Sequence, residues 1–139
     1  MFLLDTNVLS TLMMMQPPPE IAAWVSAQPD DLLFTAAVCQ AEILAGLAIL
    51  PEGRRRAELA AAAQAMFSED FEARVLPFDT LAAQDYADMY AACRRAGRPA
   101  AALDLMIAAI ARVNGASVVT RNVADFEASG VPVINPWIA

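Results

Sequence analysis

Asp5, Glu42 and Asp104 are the residues whose type and setting suggest chemistry. Asp5 sits in Leu4-Asp5-Thr6-Asn7, where the apolar run Phe2-Leu3-Leu4 passes into a turn. Glu42 and Asp104 lie inside segments so apolar that an unpaired charge there is costly. Carboxylates in such settings point to a divalent metal, and Asn7 and Asn122 can add neutral amide oxygens. An oxygen-only donor set suits Mg²⁺ or Mn²⁺ better than zinc. A metal of that kind activates water and clamps a phosphate, so phosphodiester hydrolysis is the chemistry it serves. The competing account is ion pairing, with Glu42 neutralised by Arg112 or Arg121 and Asp5 by Arg121.

Other chemistries are excluded by what is missing. There is no histidine, which removes Ser-His-Asp and Cys-His nucleophilic routes and metal sites built on imidazole. The two cysteines, Cys39 and Cys93, are far apart in helical segments and match neither a disulfide framework nor a zinc motif, so they read as small core residues. A net charge of -7 weighs against nucleic acid as a partner. The nine cations qualify that, because all are arginine and two clusters stand out, Arg54-Arg55-Arg56 and Arg94, Arg95 and Arg98. Arginine forks suit phosphate, although the same residues also serve as solvated helix ends.

The elements that must position the acids alternate along the chain. Phe2–Leu4 reads as a buried strand, followed by a helix from Val8 to Met15 that Pro17-Pro18-Pro19 ends. Glu20 to Ala27 forms a second short helix, and Leu32 to Phe34 a second strand. Thr35 is a candidate N-cap for a helix running through Leu47. After the break at Pro51-Glu52-Gly53, the alanine-rich stretch from Arg54 to about Ser68 is helical by propensity. Arg74 to Leu76 is a third strand. Asp79 or Thr80 caps a helix that Gly97 closes, and a further helix spans about Ala100 to Asn114 before Gly115. Ser117 to Thr120 and Val131 to Ile134 are the last strands. Strands alternating with helices predict an α/β fold with a central parallel sheet of about five strands and helices on both faces. The whole chain, residues 1–139, reads as a single domain.

Asp5 then follows the first strand, Glu42 lies inside the helix after the second, and Asp104 sits near the start of the helix before Ser117. Leu103, Ile107, Ile110 and Ala111 form a stripe at helical spacing, with Asp104 in the same sector. Val38 and Ala45 flank Glu42 on adjacent turns. Met13, Met14 and Met15, with Leu9, Leu12, Ile21 and Trp24, make the N-terminal helices unusually apolar, and part of that region is expected to meet a partner. There is no run of about 18 apolar residues. Nor is there a basic start followed by an apolar stretch, so a cytoplasmic protein without a membrane span is expected.

Five segments in order carry a family resemblance: Phe2 to Ser10, Ala41-Glu42-Ile43-Leu44-Ala45-Gly46, Asp104 to Ala111, Val119-Thr120-Arg121-Asn122-Val123-Ala124-Asp125-Phe126, and Val133-Ile134-Asn135-Pro136-Trp137. Together they resemble a PIN domain, and more narrowly the VapC-type toxins of bacterial toxin-antitoxin modules, including the FitB-like branch. The resemblance implies a Mg²⁺- or Mn²⁺-dependent endoribonuclease. It also implies a homodimer held inactive by a cognate VapB-type antitoxin, whose C-terminal segment lies along a groove near the acids. Operator DNA is bound only through that antitoxin. By motif, Asp5, Glu42 and Asp104 are the metal ligands and catalytic residues, Asn7 shapes the first turn, and Thr120 orients a ligand or water.

The sequence departs from the family at one position. Many PIN sequences carry an acid where Asn122 stands, and Asp125 is the nearby acid that could replace it. Asp125 reads equally as a turn or helix-cap residue. Arg121, beside the site, is a candidate for RNA phosphate or for the antitoxin. Asn122 and the acidic charge leave a second reading, a catalytically weak module acting mainly as partner and co-repressor with a DNA-binding antitoxin. Two other aspartate-at-strand-end classes fit poorly. A response-regulator receiver resembles a chemistry needing a late lysine, and the chain has none. A haloacid-dehalogenase-type phosphatase needs a second acid where Asn7 stands.

Overall fold

The strand Phe2–Leu4 (β1) is apolar at every position because it is covered on both faces, as the central strand of a parallel sheet must be. The computed structural model describes all 139 residues. β1 pairs in parallel with Leu33–Ala36 (β2) on one side and with Ser117–Val119 (β4) on the other. Val75–Leu76 (β3) and Val133–Ile134 (β5) are the edges, giving a five-stranded order β3-β2-β1-β4-β5. The chain moves outward from β1 to β3, then crosses back to β4. Right-handed crossovers that reverse direction in this way put helices on both faces and open a crevice at the switch between β1 and β4.

Seven α-helices make the connections: Thr6–Leu12 (α1), Pro19–Ser26 (α2), Ala37–Ala48 (α3), Arg54–Ala65 (α4), Thr80–Arg95 (α5), Ala102–Val113 (α6) and Val123–Glu127 (α7). Several boundaries differ from the sequence expectation for identifiable reasons. α1 begins at Thr6 because Asp5 is its cap, the carboxylate accepting the Thr6 N–H at 2.8 Å. It stops at Leu12 because Pro17, Pro18 and Pro19 have no N–H to give the carbonyls of residues 13–15. Met14 and Met15 therefore turn out to solvent, while Leu9 and Ile21 are enclosed. Thr35 is no helix cap. Its hydroxyl donates to the Leu4 carbonyl at 2.9 Å, which keeps the chain extended through Ala36, and α3 starts without a side-chain cap. α4 gives way at Met66–Asp70 to one wide π-type turn. Leu32 belongs to a 3₁₀ turn rather than to β2. The short α7 has too few residues for a periodic signal and was not foreseen.

The start and end of α5 and the end of α6 follow the sequence closely. Asp79 caps α5 through an Ala82 N–H bond of 2.9 Å. Gly97, at φ +66, lets the Arg98 N–H return to the Cys93 carbonyl at 2.9 Å and turns the chain toward α6. Gly115, at φ +68, does the same where α6 hands over to β4. The core joins Leu3, Leu4, Val118 and Val119 of the sheet to Leu105 and Ile107–Ala111 of α6. Ile107, Ile110 and Ala111 of the expected α6 stripe are fully enclosed, and Leu103 alone falls outside it at 45% exposed. Both cysteines are buried and free. No helix is long and apolar enough to cross a membrane.

Chemical denaturation checks the placement of α6. Ile107→Ala is expected to cost about 2–5 kcal/mol, the range for truncating an enclosed aliphatic side chain. Leu103→Ala should stay within about 1 kcal/mol, as for a surface change.

Candidate metal centre

Asp5 follows β1 at the switch point and is 4% exposed. Its backbone N–H still donates to Val119 of β4 at 2.9 Å, so the residue continues the sheet ladder while its side chain begins the crevice. The carboxylate is held on both oxygens. Oδ1 accepts the Thr6 N–H at 2.8 Å. Oδ2 accepts the Thr120 hydroxyl at 2.8 Å and the Asn7 amide at 3.1 Å. Each carboxylate oxygen offers two lone pairs, so Oδ2 is filled and Oδ1 retains one. Burial pushes the Asp5 pKa up, the hydrogen bond from Thr120 and the Thr6 N–H bring it back, and the charge of Glu42 raises it again.

Thr120 and Asn7 form the frame around this carboxylate. The buried Thr120 hydroxyl, having given its proton to Asp5, accepts from the Asn7 amide and from the Asn122 backbone N–H, both at 3.0 Å. Asn7 in turn accepts the Arg121 backbone N–H on its amide oxygen at 3.1 Å. That oxygen is thus engaged in joining the β1 turn to the β4 turn, rather than standing open as a neutral donor. No buried side-chain polar atom is left without a partner.

Glu42 lies on α3 and is half-buried; the Thr6 hydroxyl donates to its Oε1 at 2.7 Å. The apolar surroundings expected for it are only partly present, because Val38 and Ile43 are buried but Ala41 and Ala45 are exposed. Asp104 is half-buried in the first turn of α6. Its pKa is pushed up to about 6, first by burial and then by the negative charges of Asp5, Asp125 and Glu42. Asp125, exposed in the first turn of α7, therefore belongs to the same electrostatic cluster. Asn122 is exposed at the N-cap position of α7, with no capping bond from its side chain.

The acids sense one another but are not drawn into a closed ligating group: no three of them converge closely enough to bind a metal as they stand. Nor are they neutralised. The two ion pairs in the protein are Arg54–Glu58 at 2.9 Å and Arg112–Asp85 at 3.2 Å. Pairing of Glu42 with Arg112 or Arg121, and of Asp5 with Arg121, is therefore overturned. Arg121 instead places its guanidinium over the Trp137 ring, 5.1 Å from the centroid. The donors match a hard divalent ion in chemistry, being all oxygen with no cation at ion-pairing distance, and the acids would have to draw together to ligate one.

Two members of the site were not singled out from sequence. Thr6 holds Glu42 across 36 positions of chain, a contact that no local pattern reveals. Cys39, one turn before Glu42, is buried close enough to Asp5 that desolvation and the Asp5 charge push its thiol up to about 12. It is an inert core thiol, as expected.

Comparison with known proteins agrees with this geometry. The PIN domain family matches residues 2–128. The plasmid stability protein StbB of Pseudomonas syringae pv. tomato is 40% identical over 139 residues, all of both chains. The VapC ribonuclease Y4jK of Sinorhizobium fredii is 39% identical over 137 residues, 99% of this chain and 98% of that one. A chain in the structure of FitAB bound to an IR36 DNA fragment superposes with a TM-score of 0.91 at 34% identity, covering 99% of this chain and 96% of that chain. With the acids at the switch point of a β3-β2-β1-β4-β5 sheet and likeness along the whole length, the chain belongs to the PIN-domain family, on its VapC-type branch.

Proposed function

We propose that this protein is a metal-dependent endoribonuclease, the toxin of a type II toxin-antitoxin module, that hydrolyses RNA phosphodiester bonds. The observation that carries the reading is the placement of Asp5 at the β1–β4 switch, joined through Thr6 to Glu42, with no arginine ion-paired to Asp5, Glu42 or Asp104. The VapC-type relatives supply the reaction class.

Asp5 and Asp104, with Glu42, would hold one Mg²⁺ or Mn²⁺. When bound, such an ion lowers the pKa of water and offsets charge growing on the phosphoryl oxygens. Thr120 and Asn7 fill Asp5 Oδ2, which leaves the metal the second lone pair of Oδ1 beside its bond from the Thr6 N–H. Thr6 occupies Glu42 Oε1, which leaves Oε2 for the metal, and with no histidine present a site carboxylate would take the proton of the attacking water. Asp125 adds negative charge at the mouth, and Asn122, neutral where many relatives carry an acid, argues for one metal rather than two.

Regulation fits the same site. A groove of about 330 Å³ has Thr6 and Glu42 at one part of its wall and Met13, Met14, Leu47 and Leu59 in the rest. An apolar, methionine-bearing groove that includes a site acid suits the C-terminal segment of a VapB-type antitoxin. A homodimer joined to operator DNA through that antitoxin completes the proposal, in keeping with the DNA-bound FitAB complex. The second reading, a co-repressor with weak catalysis, rests on Asn122 and the acidic net charge.

Cleavage of total cellular RNA by antitoxin-free protein separates the two. Specific fragments are expected with Mg²⁺ or Mn²⁺ and none with chelator, and Asp5→Asn or Asp104→Asn should lower the rate by at least about a hundredfold. Folded wild type that makes no fragments in either metal would favour the co-repressor.

The raised pKa of Asp104 has a signature in stability. Because its folded value of about 6 exceeds the ordinary 3.8, the folded state binds its proton more tightly. That contribution is fully present below the ordinary value and is lost as pH rises through about 6. Without metal, Asp104→Asn should therefore be more stable than wild type at neutral pH, with the difference shrinking on acidification toward the ordinary value. Thermal melts in chelator across that range check this; a difference independent of pH would contradict it.

A further inference from the structure

Two arginines border the acid cluster without neutralising it. Arg98, in the turn after α5, shares a pocket of about 180 Å³ with Asp104 and Asp125, yet forms an ion pair with neither. The rest of that pocket is largely small and apolar, including Ala100, Ala124 and Ala128. A space of that size takes one phosphate or sugar group. Arg121 immediately precedes Asn122 and α7, whose residues Ala124 and Asp125 line the Arg98 pocket. Its backbone N–H is fastened to Asn7, the residue that grips Asp5.

The side chain of Arg121 is positioned as well. Its guanidinium lies 5.1 Å from the centroid of the Trp137 ring, and the Trp137 backbone N–H donates to Asn135 Oδ1 at 2.9 Å. Stacking uses the flat face of a guanidinium and leaves its N–H edge open, the edge that meets phosphate oxygens in a fork. It also holds in place a side chain that would otherwise lose entropy on binding. Arg121 forms no ion pair, so its guanidinium is available to an anion that arrives with the metal.

We propose that Arg98 and Arg121 are phosphate-binding residues of this site, taking the backbone phosphates of an RNA strand on either side of the bond that is cut, with Trp137 as the positioning residue for Arg121. The assignment rests on the ribonuclease reading and adds the contacts that seat the substrate. It also accounts for how a chain of net charge -7 binds a polyanion. Local fixed cations would act at the crevice together with the metal, which would offset the acids gathered there.

The test uses the full chain and a fluorescent single-stranded RNA oligonucleotide of mixed sequence. Binding is measured over a salt series in an Asp5→Asn background, and cleavage kinetics in the parent. Arg98→Gln and Arg121→Gln should each weaken binding on the order of threefold to tenfold. Each should also reduce the slope of log Kd against log salt by about 0.7, the value for one phosphate contact with a single strand, and raise KM more than they lower kcat. Arg98→Lys should keep the slope. Trp137→Leu, which changes no charge, should weaken RNA binding, and should add nothing when combined with Arg121→Gln. If the parent cuts RNA and both glutamine variants bind and cut as it does with its slope, the inference is overturned and the ribonuclease reading stands. Loss of antitoxin binding with RNA binding unchanged overturns it too. A folded parent that cuts no RNA overturns the ribonuclease reading, and this assignment with it.

Discussion

Burying the Asp5 carboxylate at the end of β1 carries a desolvation cost of several kcal/mol for the charged form, and the crevice is organised around meeting it. Hydrogen bonds from Thr6, Thr120 and Asn7 converge on the two oxygens, each worth about 1.5–3 kcal/mol to a charged acceptor. These donors come from opposite ends of the chain, 115 residues apart in the case of Thr120. They can meet only because β1 and β4 are sheet neighbours in register, Leu4 beside Val119. The same bonds fix the direction of the β4 exit, and through Asn7 they tie down Arg121 and the approach to α7.

The remaining acids are brought in by helices that radiate from this point. α3 carries Glu42, locked by Thr6, and α6 carries Asp104 in its first turn, where partial burial and like charge together hold its proton to near-neutral pH. Such a cluster repels itself, and a protein selected for stability alone would not keep it. The enclosed face of α6 and the buried strands β1 and β4 supply the stability against which that repulsion is held. A divalent ion bound there, as proposed, would remove that repulsion.

Much of this was legible in the sequence. The alternation of strands and helices, the closing glycines Gly97 and Gly115, the cap at Asp79 and the parallel sheet all follow from local patterns that tertiary structure leaves intact. The acids were visible because charge in apolar segments is anomalous. What could not be read was partnership. Thr6 and Glu42 give no sign that they touch, and the ion pairs considered for Glu42 were reasonable until Arg112 was found on Asp85 and Arg121 on Trp137. Thr35 looked like a helix cap because its side chain suits that role, but a long-range bond to the Leu4 carbonyl took precedence. The exposure of Leu103 at the start of α6, and the brief α7, depend on packing that periodicity over so few residues does not resolve.

The central claim is that these acids await one divalent cation. Titration of Mn²⁺ into antitoxin-free protein at neutral pH, followed by electron paramagnetic resonance of the free ion, tests it without reference to any substrate. Wild type should take up a single ion per chain, and Asp5→Asn and Asp104→Asn, still folded by circular dichroism, should each lose it. Equal uptake by wild type and both variants would contradict the account, because the bound ion would then lie away from the acids on which the crevice is built.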